Sequence, residues 1–131
     1  MTAPKSPVGR HTVKLHGVAV GYSDLEDIDP ALGRARGRFR PGIGYDLVQP
    51  VFQLFAQAVP SPGGAVVDAE KLERYHQSRD ALGLSLEDDA GRPIRTSAIH
   101  IVDYGDQRGG TIQLEVLIPD RKYWSTRAGP V

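Results

Sequence analysis

Apolar and polar residues alternate over several short stretches of the chain, and in two others they recur at helical spacing. From Thr12 to Val20, Val13, Leu15, Gly17 and Ala19 fall on one side and Thr12, Lys14, His16, Val18 and Val20 on the other, which predicts a first strand. Asp24, Glu26, Asp27 and Asp29 then crowd ahead of Pro30, so the segment from Tyr22 to Leu32 reads as an acidic loop with room for one helical turn. Next, Arg34, Arg36, Arg38 and Arg40 interleave with Ala35, Gly37 and Phe39. Period two places all four guanidinium groups on one face of one strand. Pro41, Gly42 and Gly44 turn the chain after it.

Asp46 to Val59 fits two periods. Leu47, Val48, Val51, Phe52, Leu54, Phe55, Ala58 and Val59 form a wide helical face, with Gln49, Gln53 and Gln57 as a stripe at i, i+4 spacing. The same glutamines are all odd-numbered, so a strand also fits; the helix is the favoured of the two. On the helical reading Asp46 is a candidate cap, and Pro50 has to fall within the first turn. After a Pro/Gly-rich breaker over 60–64, Asp68 caps a helix running to Leu82, with Leu72, Tyr75 and Leu82 inward and Gly83 as its stop. Leu84–Glu87 and Pro93–Thr96 flank a turn in which Gly91 takes a positive φ. Two more strands follow, Ile99–Tyr104 and Thr111–Ile118, joined through Gly105, Gly109 and Gly110. In the last, Ile112, Leu114, Val116 and Ile118 face the core while Thr111, Gln113 and Glu115 face water. The whole predicts an α+β fold: a mainly antiparallel sheet of five to six strands with one or two helices packed on one face.

Composition narrows the setting. A chain of 131 residues is the size of one domain, divided here into an N-terminal tail (1–10), a single domain (11–119) and a C-terminal tail (120–131). Sixteen basic residues balance sixteen acidic ones, which removes the long-range field of a general nucleic-acid or membrane-surface binder. Neither partner is expected. The absence of cysteine excludes disulfides, thiol catalysis and thiolate-bound metals. With no apolar run of membrane-spanning length and no secretory signal pattern at residues 1–10, a cytoplasmic location is expected.

Candidate chemistry is sparse. Four planar donors at Arg34, Arg36, Arg38 and Arg40, about 6.6 Å apart along a strand, suit the binding of phosphates or carboxylates. The acidic residues just upstream offer the plainer reading that the ladder is covered from within. His100 lies on one strand, and Glu115 lies on the wet face of the next. A metal or acid/base site from His16, His100 and Glu115 is therefore an alternative. His16-Gly-Val-Ala-Val-Gly-Tyr-Ser-Asp-Leu-Glu26, Ala81-Leu-Gly-Leu84 and Leu114-Glu115-Val116 resemble pieces of the glyoxalase/bleomycin-resistance superfamily. That resemblance implies metal ligation by a first-strand histidine and a later glutamate within βαβββ repeats. Pro30 and the arginine strand stand where the family's first repeat has its long helix. Tyr123 and Trp124 follow Pro119 in a polar stretch without amphipathic period, so they are expected to be covered, at an interface with a second copy or, as the alternative, by the chain's own sheet. The leading expectation is a non-catalytic domain, without cofactor, that binds a protein partner or itself and uses the arginine strand for an anionic partner. A small-molecule-binding protein or metal-dependent enzyme is the alternative.

Overall fold

A computed structural model describes residues 10–59, 67–104 and 111–127 of the chain. The expected tail up to residue 9, the breaker at 60–64, the glycine loop at 105–110 and the last four residues lie outside that range.

The single strand expected over Thr12–Val20 is a hairpin. β1 (His11–Leu15) and β2 (Val18–Ser23) pair antiparallel across a two-residue turn, with Leu15 opposite Val18. His16 and Gly17 both have positive φ, 49° and 85°, as the tight turn matched to strand twist requires. The acidic segment that follows contains β3 (Asp27–Asp29), which pairs with β4 (Arg34–Arg38). β5 (Arg40–Pro41) turns back to β2.

Helix wins at the ambiguous segment: α1 spans Tyr45–Ala58. Its N-cap is Gly44, not Asp46, which lies in the first turn, where its charge complements the helix dipole. Pro50 sits deeper than the first turn. The backbone bond it forgoes is the one to the carbonyl of Asp46, and both residues are exposed, so water can replace it. Val48 and Phe52 bury the opposite face completely. α2 (Ala69–Leu82) has the predicted ends: the Asp68 side chain accepts from the Lys71 N–H at 3.1 Å, and Gly83 adopts the left-handed conformation. β6 (Ser85–Glu87) and β7 (Pro93–Ile94) form the expected hairpin. β8 (Ala98–Asp103) and β9 (Ile112–Leu117) pair in register, and α3 (Arg121–Arg127) follows.

The fold is α+β and antiparallel, with its strands divided between two sheets, ordered β5-β2-β1-β6-β7 and β3-β4-β9-β8. Three chain crossings join the sheets, β2 to β3, β4 to β5 and β7 to β8, and the first two are buried. At the first, Leu25 is fully buried with φ 46°, and the Ser23 hydroxyl accepts its N–H at 3.1 Å. This loop lies directly over Gly37, where a Cβ would come within 2.8 Å of the Leu25 Cα. At the second, Phe39 buries its ring between β4 and β5, against Gly21. One apolar cluster serves both sheets: Val13, Val20 and Leu86 enter it from the first, Ala35, Ile101, Leu114 and Val116 from the second, and Phe52 and Tyr75 from the helices. Tyr45 ties α1 to the end of β8 by donating to Asp103 Oδ2 at 2.5 Å, with Gln49 adding a second bond at 3.3 Å.

The stretch expected as a C-terminal tail packs on this core. Asp120 accepts from the Lys122 N–H at 2.9 Å and starts α3. Trp124 is 7% exposed and donates Nε1–H to the Ile118 carbonyl at 2.7 Å. Tyr123 reaches His11 at 3.1 Å. The chain's own core buries Trp124 and half-buries Tyr123, the cover expected from its own sheet. Among the described residues no helix is long and apolar enough to cross a membrane.

Candidate functional site

Alternation on β4 buries Ala35 and Gly37 and turns Arg34, Arg36 and Arg38 outward. The ladder expected to hold four arginines therefore has three on one face. Because Phe39 carries the chain between sheets, Arg40 emerges on β5 in the other sheet. Much of the ladder is met from within. Arg34 lies 3.9 Å from Asp29 and 3.7 Å from Glu115, Arg36 lies 3.3 Å from Asp27, and Arg40 lies 3.5 Å from Asp24. The Arg38 backbone N–H donates to Glu26 at 3.0 Å. All these partners are at least partly exposed, and such pairs contribute at most about 1 kcal/mol each.

Strand register sets the rest of the outer face of the four-stranded sheet. Arg36, Glu115 and His100 are consecutive cross-strand neighbours, as are Arg34, Leu117 and Ala98. α2 lies beside this face and contributes Tyr75, His76 and Arg79. Together these elements line a cleft of about 360 Å³ whose walls include Arg34, Arg79, His100, Glu115, Phe55 and Leu117.

His100 is the hinge of the cleft's chemistry. Its ring packs edge-on against Phe55 at 4.5 Å and Tyr75 at 5.5 Å between centroids, and Nδ1 hydrogen-bonds the Tyr75 hydroxyl. Burial, reinforced by the positive charges of Arg79 and His76, lowers its pKa to about 4. Burial raises that of Tyr75 in spite of the Arg79 guanidinium, which lies 5.5 Å from its ring centre. Both groups are neutral at pH 7. The phenol is the better donor of the two, so Tyr75 donates to Nδ1 and the imidazole proton resides on Nε2.

Of the residues in the metal alternative, His100 and Glu115 face one another across β8 and β9, whereas His16 caps the exposed turn of the β1–β2 hairpin. Among the described residues no group of three histidine, cysteine, aspartate or glutamate side chains is placed to hold a metal. Among the described residues the element order also contains no βαβββ repeat: β1 runs directly into β2, and two helices, not one, separate β5 from β6. Sequence reasoning passed over Tyr75, Arg79 and Phe55 as site residues. The signal in α2 was slight: Tyr75 lies on the inward face with Leu72 and Leu82 and is the one residue of that helix that is fully buried. No family model matches the chain, and neither a curated protein nor a solved structure does.

Proposed function

We propose that the chain is a non-catalytic binding domain that recognises an anionic group in the cleft between α2 and the outer face of the four-stranded sheet. Arg34, from the arginine strand, and Arg79, from α2, are its charged donors, and the His100 Nε2–H is a neutral third. The observation that carries this reading is the convergence of these groups with Glu115 on one cleft. The two guanidinium groups are met there by Glu115, Asp29 and Asp80, so their fork geometry, and not a surplus of positive charge, is what suits an anion.

The protonation states favour binding over acid/base chemistry. A general base works best with a pKa near the operating pH. An imidazole that takes a proton only near pH 4 and a phenol pushed above its ordinary range serve instead as fixed hydrogen-bonding groups. The arginines' present partners have to give way. Asp80 accepts from both Nε and Nη2 of Arg79 at 3.1 Å, with side chains 68% and 17% exposed respectively, so a ligand's anion has to displace a carboxylate that water screens on one side.

Amide chemical shifts test the proposal. Acetate and inorganic phosphate titrated into ¹⁵N-labelled full chain at pH 7 are expected to move the amides of Arg79, Ala98, His100 and Glu115, with acetate shifts lost in Arg79→Ala. A titration to tens of millimolar that moves none of them, or moves only Arg36 and Arg38, overturns it.

A further inference from the structure

We infer that the occupant of this cleft is a small organic monocarboxylate whose apolar body lies along Leu117, Ala98 and Phe55. The inference rests on the anion-binding reading above and adds the class of ligand.

Three features of the cleft point to it. The first is Glu115. Its side chain is 30% exposed and forms part of the wall, so a dianion such as phosphate meets like-charge repulsion that a single carboxylate meets at half the strength. The second is the identity of the donors. Arg34 and Arg79 are planar forks that match the two oxygens of a carboxylate, and the His100 Nε2–H supplies a further neutral donor. The third is the apolar side. Leu117 is 39% exposed and lies in register between Arg34 and Ala98, with the half-buried Phe55 ring across the cleft. A bare anion bound at the arginines leaves this surface in water, whereas a ring or short branched chain attached to the carboxylate covers it. The size agrees: about 360 Å³ is close to the lower end of ordinary ligand cavities, roughly 300–1,000 Å³.

The experiment compares benzoate, acetate, inorganic phosphate and benzylamine on the full chain at pH 7, followed by amide shifts at His100 and Glu115. Benzoate is expected to bind at least about tenfold more tightly than acetate or phosphate, since its ring buries apolar surface that the others lack. Leu117→Thr, a strand-compatible change at a partly exposed position, is expected to weaken benzoate about five- to tenfold while leaving acetate within about twofold. Phosphate binding as tightly as benzoate, or benzoate indifferent to Leu117→Thr, overturns the inference and leaves the anion site standing. Benzylamine binding more tightly than benzoate, or no anion moving these amides, overturns the anion site and this inference with it.

Discussion

His100 shows how one side chain couples burial, charge and stability. It shares its cleft with Tyr75, His76 and Arg79 on α2, Phe55 on α1, Glu115 on β9 and Arg34 on β4. Burial, with the positive charges of Arg79 and His76 beside it, lowers its pKa from 6.5 to about 4. The unfolded chain takes up this proton near pH 6.5, and the folded chain does so only near pH 4. Between those values the unfolded state binds more protons, so stability rises with pH across that window. The contribution is full above about pH 6.5 and is lost as pH falls toward 4. It amounts to on the order of 3 kcal/mol over the whole window, and about 2 kcal/mol has gone by pH 5. Urea unfolding at pH 7 and pH 5 measures it. Wild-type is expected to lose about 2 kcal/mol more than His100→Gln, which cannot titrate. An equal loss in both proteins would assign the pH dependence to other groups.

Among the elements, α3 depends most on its tertiary contacts. A seven-residue helix is too short to persist by itself, and nothing in the spacing of Tyr123 and Trp124 announces it. Burial of Trp124 and its bond to the Ile118 carbonyl hold it in place, and Ile118 in turn donates its N–H to Gly33 at 2.8 Å. Trp124→Ala is expected to cost about 3–5 kcal/mol through lost burial and the cavity left behind. Denaturant unfolding at pH 7 checks it, and a cost below about 0.5 kcal/mol would place Trp124 on the surface. The same contrast explains what the sequence revealed and what it concealed. α2 was legible because Asp68 and Gly83 mark its ends through local chemistry, and β9 because its alternation is uninterrupted. The β1–β2 hairpin was hidden because apolar residues alternate on both sides of His16 and Gly17; the two-residue turn exchanges the faces, so Val13 and Val20, which one continuous strand would point in opposite directions, enter the same core. Arg40 continues the period of the ladder in sequence but not in space, since the chain changes sheet at Phe39. In the cleft, Arg34, His100 and Glu115 were visible as residues on strand faces. Their convergence with Tyr75 and Arg79 was not, because it depends on where α2 packs.

At the scale of the molecule, two sheets that share no ladder hydrogen bonds are made one body by their core. Val13 and Val20 from the first sheet and Leu114 and Val116 from the second all belong to the same buried cluster. Opening either sheet therefore exposes apolar surface on the other. The crossings add to this: Leu25, fully buried, sits over Gly37, and Phe39 fills the space against Gly21. Neither sheet retains a complete buried face without its partner, so unfolding is expected to be a single cooperative transition. The chain carries its own reporter for one side, because Trp124, its single tryptophan, packs at the end of the four-stranded sheet beside Gly33 and Ile118. Far-ultraviolet circular dichroism reports on both sheets and the helices together. Urea transitions followed by Trp124 fluorescence and by circular dichroism are expected to coincide in midpoint and slope. Were the fluorescence transition to precede the other, the four-stranded sheet would be opening separately, and the cleft would disassemble before the rest of the domain, because Arg34, His100 and Glu115 all stand on that sheet.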